Sequence, residues 1–285
     1  MAERLDWGFT QALEDQTVGP QLRDLFAEGE GREFLPPRIL NYFAFYEKYK
    51  DRLGENGSSQ NGEIEILTNP IDIFAAEKAG IGQLTRQGLS EEEAAKRIQV
   101  GVRNESRWGA SVCDAVRFPG GALGTYVREI SWQQLEQGVD GIAVIPVLED
   151  GRIVMVKNYR HATRRWTLQI PRGGTEPEGV AATIKRELSE EAGVEIIGNP
   201  QLIGHDTPDD GILASKVPVY FATVRILGQP IPEESEAIGG LVIMTKYELN
   251  EALIAGQHTV EGKTYDLSDS FTQTSFAQAV NQELL

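Results

Sequence analysis

Between Gln169 and Val194 the chain reads QIPRGGTEPEGVAATIKRELSEEAGV, and no other stretch constrains the fold as tightly. Ile170 and Pro171 lead a strand into a tight glycine turn. From about Gly179 the apolar residues Ala181, Ile184, Leu188 and Ala192 recur at helical spacing until Gly193 supplies a C-terminal stop. The pattern predicts a strand, a loop and a helix in direct succession. On that helix Glu187, Glu190 and Glu191 are spaced so that their carboxylates share one face, beside the apolar stripe. Like charges so placed repel by roughly 0.2–0.5 kcal/mol per pair, and Arg186 offsets only part of this by reaching Glu190. Two readings follow. Most charge runs are solvated surface, whereas oxygen ligands on a short rigid helix also suit Mg²⁺ or Mn²⁺, which bridge to substrate phosphates.

The order Arg186-Glu187-Leu188-Ser189-Glu190-Glu191-Ala192-Gly193-Val194, with Glu178 eight residues before Arg186, resembles the core of the Nudix box. The segment DGIAVIPVLEDGRIVMVKNYRHATRRWTLQIPRGG resembles the ADP-ribose pyrophosphatase branch of that family, so the resemblance covers roughly Phe118 to Leu285. It implies an α+β fold, the Nudix α/β/α sandwich with a mixed sheet, and Mg²⁺- or Mn²⁺-dependent hydrolysis of the diphosphate in ADP-ribose or a related nucleotide sugar. The products would be a nucleoside monophosphate and a sugar phosphate. Carried over residue by residue, it implies Glu187, Glu190 and Glu191 as metal ligands. Glu190, Glu191 and Glu236 become the candidates for catalysis, with Glu236 and Glu234 on a loop whose second glutamate is a metal ligand or a base. Arg160 would hold phosphate, Gly173 would line the substrate site, and Tyr126 would stack on the base, often across a homodimer interface, with Trp132 in reserve. Tyr126 is equally an ordinary strand residue with its ring on the core.

Two positions depart from the branch. Gln169 stands where a glutamate is usual, and the glycine turn is about one residue short, with Arg172 at the usual glycine position. Both would suit a sensor that binds ADP-ribose without cleaving it. The complete R-E-L-x-E-E-x-G-V segment favours an enzyme, because a pure binder need not keep it.

The net charge of −16 argues against nucleic acid as a partner, since phosphate contacts need clustered lysine and arginine. No apolar run is long enough to span a bilayer, and MAERLDWGFTQALEDQ lacks the basic and apolar regions of a signal peptide, so a cytoplasmic protein with no membrane partner is expected. The lone Cys113 forms no internal disulfide and reads as a packed residue. His161, His205 and His258 are too scattered for a metal cluster or a triad, and Asp209-Asp210-Gly211 is explained by turn propensity.

Residues 1–113 read as a helix-rich region of unstated role, followed by the Nudix domain at 114–285. A helix follows Pro36-Pro37 and ends at Gly54, with Ile39, Leu40, Phe43 and Tyr46 as its apolar face. Asn69-Pro70 opens another through Ala79, and Ser90 to Glu93 is a capping box. VRFPGGALGTYVREISW reads as a hairpin of the second domain, and IAVIPVL with RIVMVKNYR as a further hairpin, the latter strand alternating. YELNEALIAGQ and SDSFTQTSFAQAVNQELL read as amphipathic helices covering a sheet face.

Overall fold

The computed structural model describes residues 16, 19–28, 30–175, 179–234 and 236–285. Residues 1–15, on which the reading of the N-terminus rests, and Glu178 lie outside the described residues. The chain divides into two compact units, residues 1–135 with 212–214, and residues 136–211 with 215–285.

The first unit contains helices α1 (Gly19–Ala27), α2 (Pro37–Leu53), α3 (Pro70–Arg86) and α4 (Glu91–Ile98) and strands β1 (Glu65–Ile66), β2 (Gly101–Glu105), β3 (Gly109–Arg117) and β4 (Leu123–Ser131). Its helix starts are chemically marked: Asn69 accepts a hydrogen bond from Ile71 N at 2.8 Å, and Ser90 and Glu93 form the reciprocal capping box. β3 pairs with β4 from Gly109↔Ser131 to Arg117↔Leu123, and with β2 and β1 as well. The boundary expected at 113/114 therefore falls inside a strand whose ladders bind it to the first unit, and the hairpin stays with that unit. Ile212–Ala214 also counts with it, since Glu129 N donates to Ile212 O at 2.8 Å.

α2 buries Ile39, Tyr42 and Phe45, whereas Leu40 is exposed. Polar chemistry turns the helix this way. The hydroxyls of Tyr42 and Tyr46 donate to Asp114 Oδ1 at 2.8 and 2.6 Å, and Arg128 Nε donates to Asp114 Oδ2 at 2.6 Å. A buried carboxylate needs such partners, so the aromatic stripe is core, packed with Ile73, Phe74 and Val112.

A short helix α5 (Trp132–Gln137) runs across the division into the second unit. There follow β5 (Ile142–Leu148), β6 (Ile153–Arg160), β7 (Arg165–Gln169), β8 (Arg172–Gly173), α6 (Val180–Ala192), β9 (Val194–Ile196), β10 (Gln201–Asp206), β11 (Val217–Ile226), β12 (Ile238–Met244), α7 (Lys246–Ala255), β13 (Gln257–Val260), β14 (Lys263–Asp266) and α8 (Ser270–Asn281). The ten-stranded sheet runs β10-β11-β5-β6-β7-β14-β13, with β12 on β6, β8 on β5 and β9 on β11. It is mixed, because β11 is parallel to β5 and β14 to β7.

Side chains alternate across a strand, so β5 sorts the layers. Ala143, Ile145 and Val147 join a core with Leu249 and Ala252 of α7 and Phe276 and Ala279 of α8. Ile142 and Val144 join a second core with Ile184, Leu188 and Ala192 of α6. The α+β sandwich follows, with helices on both faces. β6 differs from the expected alternation: Ile153, Val154, Met155 and Val156 are all buried, since both faces of this strand are covered. Among the described residues no helix is long and apolar enough to cross a membrane.

Candidate active site

α6 is the element that organises the site. Its buried side carries Thr183, Ile184, Glu187, Leu188, Glu191 and Ala192, while Ala181, expected in the apolar stripe, is exposed. Glu187 and Glu191 are thus inside the protein rather than beside its apolar stripe, at 4% and 2% exposure. Gly193 ends the helix in the left-handed region at φ 56, where its N–H bonds back to the carbonyls of Leu188 and Ser189.

The same glycine anchors the next part of the site. Gly193 O accepts from Leu227 N at 2.9 Å and Gly228 N at 3.2 Å, and Glu190 O accepts from Ile231 N at 2.9 Å. Further on, Tyr159 N donates to Ala237 O at 3.0 Å, tying the loop's far end to β6. Held at both ends, the loop presents Glu236, and one carboxylate oxygen from each of Glu187, Glu191 and Glu236 lies within 4.8 Å of the others. Glu234 is exposed and outside this group.

Glu190 is not part of the group either. Its Oε2 accepts from Arg186 Nη1 at 2.8 Å, and Arg186 Nη2 donates to Glu187 Oε1 at 2.6 Å. Charge repulsion on the helix is relieved by this arginine on one side only. Burial, with Glu236 and Glu190 adding and Arg186 opposing, pushes the Glu187 carboxyl up to about 7. Burial and the neighbouring Glu187 push Glu191 up to about 8, against the Arg172 N–H that donates to its Oε2 at 3.1 Å.

β8 brings the glycine turn against these acids. A Cβ at Gly173 would collide with the Glu187 carboxylate, so only glycine lets the strand lie this close to it. Arg172 is fixed from the other side: Nη1 pairs with Asp269 Oδ1 at 2.9 Å, and its guanidinium stacks 4.5 Å from the Phe271 ring centre. Asp269 is the N-cap of α8 and accepts from Thr272 N at 3.0 Å. Spacing along the sequence does not mark Asp269 and Arg172 as site residues. An N-cap aspartate before a helical pattern is visible in DSFTQTSF, but its pairing with Arg172 joins positions far apart in sequence.

Arg160 ends β6, and its Nε donates to Gln169 Oε1 at 3.1 Å. Burial, then Arg172, pulls the guanidinium down to about 10, while Glu191, Asp269 and Glu236 oppose that shift. Arg160 Nη2 and Gln169 Nε2 are buried without a hydrogen-bond partner among the described residues. Each such donor costs about 1–3 kcal/mol where nothing accepts from it.

The remaining residues lie elsewhere. Tyr126 is half-buried on β4 of the first unit, opposite Asp114 in the β3 ladder. Trp132 packs on that unit's core beside Phe45 and Tyr49, and its Nε1 donates to Ser106 O at 2.7 Å. Cys113 is buried, and that burial pushes its thiol up to about 11, in keeping with a packed residue.

The arrangement has the chemistry of a hard-cation seat flanked by anion donors: oxygen ligands on one side, Arg160 and Gln169 on the other. The family described as NUDIX domain matches residues 139–264. The chain is 32% identical over 127 residues to an ADP-ribose pyrophosphatase of Mycobacterium tuberculosis, covering 44% of this chain and 58% of that protein. It is 33% identical over 87 residues to an ADP-ribose pyrophosphatase of Bacillus subtilis, covering 27% and 45% respectively. The chain thus spans about half the length of the curated relatives it matches. A solved structure described as an ADP compounds hydrolase aligns with a TM-score of 0.49 at 15% identity, over 65% of this chain and 91% of that one.

Proposed function

We propose that this chain, whose residues 139–264 carry a NUDIX domain, is a divalent-metal-dependent pyrophosphohydrolase of ADP-ribose or a related nucleotide sugar. The observation that carries this reading is the group formed by Glu187, Glu191 and Glu236. Carboxylates this close together, two of them buried, are stable only when protonated or beside a cation, and a donor set made entirely of oxygen suits Mg²⁺ or Mn²⁺. These residues fit such an ion and would hold it. When bound, it supplies positive charge at the diphosphate and makes a neighbouring water more acidic.

The chain's own residues supply the rest. Arg160 binds a non-bridging phosphate oxygen and steadies the charge that builds as the bridge breaks. Glu236, half-buried at the end of an anchored loop, takes the proton of the attacking water. Glu190 acts through Arg186, which it holds against Glu187, and is a positioning residue in this scheme. Gly173 lines the floor beneath Glu187.

With millimolar Mg²⁺, the purified protein is expected to release a nucleoside monophosphate and a sugar phosphate from ADP-ribose or another member of a nucleotide-sugar panel. Release from none of them overturns the reading. Tyr126 remains the candidate for stacking on the base. Its replacement by alanine is then expected to raise KM several-fold with kcat nearly unchanged, because stacking acts on ground and transition states alike. The homodimer and the cytoplasmic setting expected from the sequence belong to the same proposal, and sedimentation tests the first of them.

A further inference from the structure

Gln169 sits at the end of β7, and its neighbours settle which way it faces. Leu168 and Ile170 lie in the core on the side of α7 and α8. By strand alternation Gln169 therefore faces the α6 side, together with its ladder partner Val156, which packs in the α6 core. That is the side of Glu187 and Glu191. The residue is 1% exposed.

The orientation of its amide is also determined. Arg160 Nε is a donor, so the end of the amide that meets it at 3.1 Å must be the oxygen, and Thr167 Oγ1 lies 3.1 Å from the same oxygen. The nitrogen is then the other end, and among the described residues it has no acceptor. Arg160 Nη2, on the neighbouring side chain, has none either. Among the described residues Arg160 makes no ion pair, so its charge is not committed to a carboxylate.

We propose that Gln169 is a substrate-binding residue of this site, its Nε2 and Arg160 Nη2 forming a two-donor seat for a phosphate oxygen of the diphosphate. The identity of the anion rests on the pyrophosphohydrolase reading above. Glutamine is suited to this in a way glutamate is not. Its oxygen orients Arg160 while its nitrogen adds a donor, and being neutral it leaves the guanidinium charge to the incoming phosphate. A carboxylate at this position would orient Arg160 equally well but neutralise it and turn the second donor into an acceptor.

Binding of inorganic pyrophosphate in the presence of Mn²⁺, measured by calorimetry on the full chain, tests this, with binding of Mn²⁺ alone as the control. Gln169→Glu is expected to raise the Kd for pyrophosphate at least about tenfold, and Gln169→Met, which loses both the donor and the oxygen that meets Arg160 without adding charge, several-fold. The Kd for Mn²⁺ alone should stay within about twofold in both. An unchanged or tighter pyrophosphate Kd in Gln169→Glu overturns the proposal, because a carboxylate placed against a bound phosphate oxygen must weaken it. Equal loss of Mn²⁺ and pyrophosphate affinity also overturns it, as does a wild-type protein that binds no pyrophosphate. Should the glutamate variant not fold, an unchanged Kd in Gln169→Met is decisive against it. Wild-type protein that shows this dependence on Gln169 but hydrolyses no nucleotide sugar would leave the anion seat standing and remove the pyrophosphohydrolase reading; hydrolysis with no dependence would do the reverse.

Discussion

At the residue scale, Glu187 and Glu191 face a conflict between burial and charge. Their carboxyls are raised to about 7 and about 8, against about 4.3 for a glutamate in an unfolded chain. Between those values the folded protein binds more protons than the unfolded one, so the contribution to stability is fully present at low pH and is lost as pH rises through the folded values. In the presence of a chelator, the melting temperature is expected to fall from about pH 5 to about pH 8.5. Mg²⁺ should restore more of it at the alkaline end, by about 2.7 kcal/mol at a hundredfold excess over Kd. Calorimetric scans with and without Mg²⁺ measure both. Glu191→Gln keeps an oxygen for the Arg172 N–H, so the fold should survive; removing a buried charge, it is expected to raise the metal-free melting temperature above about pH 8 while lowering kcat at least about 10²-fold. Near-normal turnover would sink the metal-seat assignment. Charge spacing on a helix was enough to single out these two acids. It could not separate them from Glu190, because that depends on which acids face inward and on Arg186 bridging Glu190 to Glu187.

At the scale of elements, α6 and the loop after β11 act together. Gly193 has φ 56, and a Cβ there would come within 2.6 Å of Gly228 O. Gly193→Ala should therefore cost more than the roughly 1–2 kcal/mol of left-handed backbone strain, and should lower activity further than stability predicts, since the displaced loop carries Glu236. Comparing the loss of kcat with the loss of melting temperature checks this. Arg186→Ala should lower both as well, as it leaves Glu187 and Glu190 without their shared partner; an unchanged melting temperature would point to direct contact with substrate instead. The strand, glycine turn and helix were legible in order because apolar period and glycine placement are local signals. The buried second face of β6 was not, because Ile153 to Met155 look alike whether one face is covered or two. The rotation of α2 was also hidden, being set by Asp114 on a distant strand.

At the scale of the whole molecule, two compact units of different character share one chain. Helices on both faces of the second unit's sheet were implied by the Nudix resemblance, and one continuous apolar strand, Ile142 to Leu148, pointed the same way. The first unit's limits were harder to read, since β3 carries the sequence past any compositional break and binds its hairpin by ladder bonds. The Tyr42, Tyr46, Asp114 and Arg128 network lies wholly in that unit, and it has an optical consequence. Burial first, then Asp114, raises both phenols well above the ordinary tyrosine range. In an alkaline absorbance titration these two of the chain's 8 tyrosines should stay colourless in the phenolate band, and should appear only when the first unit unfolds. The protein thus carries an unlabelled chromophore inside its first unit, and a phenolate step from Tyr42 and Tyr46 can be timed separately from loss of turnover.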